Sequence, residues 1–206
     1  MIFPAIRSRR AHLVAAVTTI VLCAAMYFIP QHWRFATPRE LPLTALDRVI
    51  PFWPLTGVVY FAMFAFLLGT FLALRDREPA TRFLYASLLA QLVGMVCFLF
   101  WPTQYPRELF PLPASSSALG AALVNYVRTN DAPVNCLPSL HVCTLTLCAL
   151  ALRGSRWFVP AVLFAVACAA STLTFKQHYA VDALAGAALG GLAWWLCFRW
   201  QGLRLR

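Results

Sequence analysis

The chain has 206 residues, of which 61% are hydrophobic and 12% are charged. Too few polar residues are present to cover the surface of a water-soluble globule. The composition therefore favours a membrane protein. The net charge of +10 would suit nucleic-acid binding, but the basic residues are spread over short connections and form no single stripe with interleaved aromatics. We therefore expect a lipid bilayer as partner and no nucleic acid.

Six uncharged stretches occupy most of the sequence. A transmembrane helix needs roughly 20 apolar residues, each adding about 1.5 Å, and every stretch approaches or exceeds that length. We therefore predict an all-α protein, a bundle of six transmembrane helices that forms one domain over residues 1–206. The predicted spans are Ala11–Trp33, Val49–Leu74, Phe83–Pro106, Ala132–Leu152, Trp157–Phe175 and Ala183–Phe198. Small residues in the last span, at 186–191, predict close helix packing within the bundle.

The basic residues predict the orientation of this bundle. Eleven of the 17 fall on one side: Arg7, Arg9, Arg10, Arg75, Arg77, Arg82, Arg153, Arg156, Arg199, Arg204 and Arg206. Because cytoplasmic loops carry the excess of Lys and Arg, both termini are predicted to be cytoplasmic, in a multi-pass protein of a bacterial-type inner membrane. The first span is predicted to be retained, since its apolar run is longer than that of a signal peptide.

The connection at 102–137 is the longest polar interruption. Within it, Ser115–Ser117 precede the apolar stretch Ala118–Val127, which predicts a capped interfacial helix. A loop of this length among short connections is more often functional than not. The connection His32–Arg48 and the prolines and aromatics after it are interpreted as structural.

Five ionisable residues fall near the predicted membrane boundary on the outer side. Such residues are costly at membrane depth, so their default interpretation is functional. They are Arg107, His141, Lys176, His178 and Asp182.

His178 and Asp182 are four residues apart, which places them on one face if a helix has already begun. A carboxylate there can accept the ring N–H, fix the tautomer and leave the other nitrogen as a nucleophile or base. Taken alone, the spacing is weak evidence, and it is more typical of a pair that stabilises its own helix end than of a catalytic pair.

Pro138 and Ser139 precede an apolar run, so Ser139 and His141 are predicted in the first turn of a helix. The free N–H groups and the positive end of the helix dipole favour a phosphate at that place. A simple Pro-Ser helix start with a chance histidine fits this element equally well.

Together these elements are more specific. They resemble the second and third signature motifs of the type 2 phosphatidic acid phosphatase (PAP2) superfamily, which includes vanadium haloperoxidases and bacterial lipid phosphatases. The residues that carry the resemblance are Pro138-Ser139-x-His141 and Ser171-x6-His178-x3-Asp182, followed by Gly186. The motif region spans about 102–186, and the first two spans add only hydropathy.

The resemblance implies roles for individual residues. His178 would be the nucleophile that takes the phosphoryl group, Asp182 would orient it, and His141 would protonate the leaving oxygen. Ser139 and neighbouring backbone amides would hold phosphate oxygens. Phosphoryl transfer is mostly positioning and charge neutralisation, which basic side chains and a helix N-terminus can supply without a metal.

Two positions depart from the family pattern. The first motif is reduced to Arg107-Glu108 without the expected lysine, and Thr172 stands where the third motif has an arginine. Lys176 is a candidate to replace a lost charge, and Arg107, Lys176 and Arg128 are the expected phosphate ligands. The Lys-Gln-His-Tyr sequence at 176–179 looks more like the branch related to inositol-phosphorylceramide and sphingomyelin synthases.

Neither a metal nor a cofactor is expected. Two histidines and a carboxylate could bind zinc, but no Cys/His ligand spacing accompanies them, and Asp182 suits the histidine better. Seven cysteines without CxxC spacing imply no disulfide framework.

The expected function is therefore a metal-independent lipid phosphatase that acts at the outer membrane face. The substrate would be an isoprenoid diphosphate, a phosphatidate or a phosphatidylglycerophosphate. A lipid phosphotransferase is the alternative among enzymes, because the motifs do not separate water from a lipid hydroxyl as acceptor. A small transporter or structural membrane protein is the alternative outside enzymes, and the oligomeric state is left open.

Overall fold

The computed structural model describes residues 9–200. Three of the basic residues assigned to the cytoplasmic side, Arg7, Arg204 and Arg206, lie outside this range. The described part contains eight α-helices, as expected for an all-α protein. They are α1 (Arg9–His32), α2 (Ala45–Val49), α3 (Gly57–Ala73), α4 (Arg77–Phe100), α5 (Ala118–Asn130), α6 (Leu140–Ala151), α7 (Phe158–Thr174) and α8 (Ala180–Trp194), with a π-helical end at Trp195–Trp200.

Four helices within residues 9–200 are long and apolar enough to cross a membrane, against the six spans predicted. They are Arg10–His32, Pro54–Ala73, Arg77–Phe100 and Ala180–Arg199. The other two predicted spans correspond to α6 and α7, which have only 12 and 17 residues.

The predicted fourth span, Ala132–Leu152, began too early. Residues 132–139 are not helical and α6 starts at Leu140. Two features explain the late start: Pro138 lacks a backbone N–H, and Asn135 has a φ of 64°, in the left-handed region. Ser139 then caps the helix, since its hydroxyl accepts from the Val142 N–H.

α6 lies at the centre of the bundle. It packs against α3, α4, α7 and α8, and most of its residues are buried. Large apolar side chains on the peripheral helices point outward instead, among them Leu13 and Ile20 of α1 and Leu163 of α7. A buried central helix within an apolar exterior is the arrangement expected for a bundle whose solvent is lipid.

α6 and α8 approach each other most closely at two glycines. A Cβ on Gly186 would lie 2.2 Å from the Ser139 carbonyl oxygen, and one on Gly190 would lie 2.5 Å from that of Cys143. The predicted small-residue packing within the bundle is therefore confirmed at these positions. Gly191, in contrast, has nothing within 4 Å of an added Cβ.

The loops at one end of the bundle are tied together. Two short strands, β1 (Arg39–Glu40) and β2 (Thr103–Gln104), pair in parallel and join the first connection to the long one. The helix predicted in the long connection is confirmed as α5, where the Ser117 hydroxyl accepts from the Gly120 N–H.

We expect Gly186→Ala to destabilise the protein, because the new methyl group meets a backbone oxygen that cannot move aside without separating two helices. Overpacking of this kind costs about 1–3 kcal/mol. The matched control is Gly191→Ala, whose added methyl group faces open space and should leave the stability unchanged or slightly raised. Thermal unfolding of both variants in detergent is the measurement, and equal melting temperatures would contradict the close approach.

Candidate active site

His178 and Asp182 meet at the start of α8. His178 Nδ1 lies 3.4 Å from Asp182 Oδ2, and both side chains are buried. His178 itself precedes the helix, which begins at Ala180, and the contact forms because Asp182 folds back in the first turn and accepts from the Tyr179 N–H at 3.0 Å. The spacing in the sequence therefore indicated the contact but not the position of His178 outside the helix.

His141 lies in the first turn of α6, as predicted, and faces His178. Its Nδ1 is 3.3 Å from His178 Nε2. Its other ring nitrogen, Nε2, is 2.6 Å from the hydroxyl of Tyr60, a buried residue of α3. Tyr60 was not predicted as a site residue, because a tyrosine near the end of a span is ordinarily explained by the aromatic belt at the interface.

The four side chains form one hydrogen-bonded row with a defined direction. The Asp182 carboxylate only accepts, so His178 donates Nδ1–H and, while neutral, keeps a lone pair on Nε2. His141 must then donate Nδ1–H to that lone pair, which leaves its own Nε2 to accept from the Tyr60 O–H. With both histidines neutral, this is the single arrangement that satisfies every contact, and it leaves a lone pair on His178 and a proton on His141 facing each other.

Ser139 fixes the two helix starts relative to each other. It is fully buried, its N–H donates to the Asp182 carbonyl oxygen at 3.0 Å, and its hydroxyl accepts from the Val142 N–H at 3.3 Å. The capping bond occupies an acceptor site of the hydroxyl, while the O–H remains able to donate.

Arg107 is linked to the histidine pair through Gln177. Its guanidinium donates to the side-chain oxygen of Gln177, the neighbour of His178, and to the Asp131 carbonyl oxygen at 2.6 Å. The Asp131 carboxylate is 3.6 Å away. Arg107 Nε is buried and has no hydrogen-bond partner within residues 9–200.

Arg128 lies beside Arg107. It donates to the Phe110 carbonyl oxygen at 2.6 Å, and its Nη2 lies 3.4 Å from the Arg107 carbonyl oxygen. Burial, and then the charge of Arg107, lower the pKa of Arg128 below its usual value. The positive charges of two guanidinium groups thus outweigh the negative charge of Asp131, and such a surplus favours an anion.

Lys176 is directed elsewhere. Its ammonium donates to the carbonyl oxygens of Asp47 and Ile50, at 3.0 and 2.6 Å, and lies over the Phe110 ring. The residue is only 2% exposed, and burial lowers its pKa while the charge of Asp47 opposes the shift. Lys176 therefore holds the first connection, and the structure does not bring its ammonium to the histidines.

Asp47 completes this brace, which the sequence did not single out. Its Oδ1 accepts from the Ala180 N–H, the first of α8, at 2.7 Å, and its Oδ2 accepts from Thr44. Burial acts to raise the pKa of Asp47, but the bonds from Thr44 and Ala180 and the charge of Lys176 outweigh it and the pKa is lowered. The first connection is thus structural, as predicted, and it steadies the helix that carries Asp182.

A family profile described as the PAP2 superfamily matches residues 55–196. The chain belongs to the PAP2 superfamily. Membership indicates phosphatase-type activity on phosphate esters. A search of curated proteins and a search of solved structures each found no significant match.

The PAP2 region runs from the turn before α3 to the end of α8. It contains Tyr60 as well as the two histidines and Asp182, so the whole hydrogen-bonded row lies within it. Helix α1 lies outside the matched range, yet its Tyr27 and Gln31 donate to the Asp131 carboxylate at 3.0 and 2.8 Å. The part of the chain before the PAP2 region thereby helps to hold Arg107.

One cysteine also lies beside the PAP2 histidine pair. Cys136 Sγ, a ring nitrogen of His178 and a carboxylate oxygen of Asp182 all lie within 4.8 Å of one another, and all three residues are buried. Burial, followed by the charge of Asp182, raises the pKa of the Cys136 thiol. Sequence spacing did not indicate this cluster, because the loop before α6 brings the thiol to His178 from 42 positions away.

We expect Tyr60→Phe to impair turnover of a phosphate ester with a poor leaving group, such as an alkyl phosphate, by about ten-fold. The change removes the donor to His141 Nε2, worth about 1–1.5 kcal/mol, while the ring stays against the imidazole. An activated aryl phosphate needs little proton donation and should be turned over nearly as before. The control is Tyr126→Phe, at an exposed position of α5. Equal losses on both esters would show that Tyr60 acts only in packing.

Proposed function

We propose that this protein is a membrane lipid phosphatase that passes the phosphoryl group of a lipid phosphate or diphosphate to His178 and then to water. The observation that supports it most is the row of Asp182, His178, His141 and Tyr60, in which a lone pair and a proton face each other at 3.3 Å. Nucleophile and proton donor must both touch the same phosphoryl group, and this is the pairing that the reaction needs.

In the first step, the phosphoryl group enters between the two imidazoles, which separate to admit it. His178 Nε2 forms a bond to phosphorus while the bond from phosphorus to the lipid oxygen breaks. His141 takes up a second proton together with the anionic substrate, so that it is an imidazolium with Nε2–H directed to the Tyr60 oxygen. It then passes the proton on Nδ1 to the leaving oxygen and becomes neutral as the lipid alcohol leaves. Asp182 stabilises the positive charge that develops on the His178 ring.

In the second step, water attacks the phosphohistidine. His141 Nδ1 takes a proton from the water, the bond between nitrogen and phosphorus breaks, and inorganic phosphate leaves. The lone pair of His178 and the proton of His141 are then restored. No metal ion takes part in either step.

The charge of the phosphoryl oxygens is neutralised from three directions. Arg107 contributes its unpartnered Nε, Arg128 adds a second guanidinium, and the N-terminus of α6 with Ser139 supplies N–H and O–H donors. Lys176 contributes its charge at longer range, since its own donors are directed to the carbonyl oxygens of the first connection.

A lipid substrate suits the position of the site. Apolar side chains face outward along α1, α3, α7 and α8, so the site lies at one end of a bundle whose flanks suit hydrocarbon. An isoprenoid diphosphate, a phosphatidate or a phosphatidylglycerophosphate could place its phosphate at the histidines and leave its chains in the bilayer.

The membrane arrangement is part of the same proposal. Residues 1–206 form one domain with six spans, in which α6 and α7 complete the set: α6 is sheltered by its neighbours, and α7 reaches about 26 Å. Both termini are cytoplasmic, in keeping with the excess of arginine on that side. The site then faces the outside of a bacterial-type inner membrane.

A lipid phosphotransferase is the second candidate. It is favoured by the departures from the family pattern, with Thr172 in place of an arginine and Lys176-Gln177-His178-Tyr179 at the nucleophile. Its chemistry differs only in the second step, where a lipid hydroxyl replaces water. A transporter or structural protein, in contrast, requires neither histidine for hydrolysis.

The test is turnover of a panel of lipid phosphates and an aryl phosphate by the purified protein in excess chelator. We expect His178→Ala to lose activity on every substrate by about 10³-fold or more. His141→Ala should lose about 10²–10⁴-fold on lipid phosphates, whereas with the aryl phosphate it should still release a burst of aryl alcohol, because that leaving group needs no proton. His32→Ala, at the exposed last position of α1, is the control.

Free phosphate and new lipid species are measured together, with and without acceptor lipids. If a new lipid species formed without release of free phosphate, the protein would be a lipid phosphotransferase and not a phosphatase. Full activity of His178→Ala would refute both. With intact, right-side-out vesicles, hydrolysis of a membrane-impermeant aryl phosphate without permeabilisation is the expected result, and latency would reverse the proposed orientation.

A further inference from the structure

The proposed nucleophile and two side chains beside it have the composition of a metal site. Cys136, His178 and Asp182 offer a sulfur, a nitrogen and an oxygen that all lie within 4.8 Å of one another. None of the three residues is more than 5% exposed. They come from two places in the chain, the loop before α6 and the start of α8, so the fold alone brings them together.

Two of the three residues have poorly satisfied polar atoms. Asp182 Oδ1 is buried and makes no hydrogen bond to any of residues 9–200. The Cys136 thiol makes only a weak bond to the Pro133 carbonyl oxygen, at 3.4 Å. A buried carboxylate oxygen without a partner is costly, so the Asp182 carboxylate keeps an oxygen free to coordinate an ion.

The set of donors selects the class of ion. Thiolate, imidazole and carboxylate are the ligands of Zn²⁺, whereas Mg²⁺ and Ca²⁺ prefer oxygen alone. Tetrahedral zinc at about 2.0–2.3 Å from its ligands places them roughly 3.5 Å apart. The cluster must therefore contract by about 1 Å, which rotations of three short side chains can supply.

We propose that Cys136, His178 and Asp182 form an inhibitory site for Zn²⁺ and similar soft divalent ions. Binding displaces the thiol proton to solvent and creates a sulfur–metal bond, so the two anionic ligands balance the charge of the buried ion. This inference rests on the proposed function for its inhibitory effect, although the site itself does not.

Inhibition follows from which atoms the ion takes. A metal on His178 Nδ1 removes the hydrogen bond that lets Asp182 orient the ring, and a metal on Nε2 occupies the lone pair that attacks phosphorus. Either mode also withdraws the Asp182 carboxylate. The ion therefore stops phosphoryl transfer in both cases, in contrast to a catalytic zinc that would activate water.

Binding is tested first, with Co²⁺ as the probe and the full chain in detergent after removal of metals by a chelator. We expect a thiolate-to-cobalt absorption band in the near ultraviolet that Zn²⁺ abolishes by competition. Cys136→Ala and Cys136→Ser should lack the band, and Cys23→Ala, at a partly buried cysteine of α1, should keep it. Zn²⁺ should also raise the melting temperature of the unmodified protein but not of the Cys136 variants.

The second arm measures phosphate release from an aryl phosphate. Zn²⁺ should inhibit the unmodified protein, chelator should restore it, and the Cys136 variants should be active and need at least about ten-fold more Zn²⁺ for the same inhibition. Absence of the band, its persistence in both Cys136 variants, or activation by Zn²⁺ would overturn the proposal. A normal band in a protein that releases phosphate from no substrate would refute the proposed function and leave the metal site standing.

Discussion

The close contact between the starts of α6 and α8 is the constraint on which the rest of the site depends. Gly186 has no side chain, so the backbone of α8 can approach the Ser139 carbonyl oxygen, and the Ser139 N–H reaches the Asp182 carbonyl oxygen. His141 lies in the first turn of α6, and His178 lies just before α8. A separation of even one methyl group would move His141 and His178 out of contact and break the hydrogen-bonded row between them.

The junction between α6 and α8 contains polar groups, and burying them among apolar helices costs free energy. The protein does so by satisfying the buried polar groups with loop residues rather than by exposing them to water. Asp47 and Lys176 clamp the first connection to the start of α8. Asp131 links Arg107 to α1. The loops thus act as a frame, and the basic residues expected as phosphate ligands divide: Lys176 supports this frame, whereas Arg107 and Arg128 are proposed to bind the substrate.

The sequence predicted those features that depend on short-range spacing. The apolar stretches located the main helices, Ser117 and Ser139 marked two helix starts, and the four-residue interval from His178 to Asp182 indicated their contact. The predicted start of the fourth span, at Ala132, was wrong because apolar residues between Pro133 and Pro138 extended the hydropathy signal beyond the helix. Hydropathy records which residues avoid water, and it does not record where the backbone leaves the helical conformation.

The remaining site residues depend on contacts between distant segments. Tyr60 reaches His141 across 81 positions, and nothing around Tyr60 in the sequence distinguishes it from other aromatic residues in a span. Cys136 meets Asp182 only because of the turn before α6. Lys176 was expected among the phosphate ligands because it is near His178 in sequence, but its positive φ of 55° and long side chain carry the ammonium to the first connection. Neighbours in sequence near a turn need not share a site.

The central claim is that His178 carries the phosphoryl group during turnover, and the most direct measurement is to find that group on the protein. His141→Ala, supplied with an activated aryl phosphate, should accumulate a covalent phosphoprotein because the second step lacks its base. The modification should be labile in acid, stable in alkali, and located by mass spectrometry on His178. A phosphoryl group on another residue, or steady turnover with no phosphoprotein at any time after mixing, would contradict it.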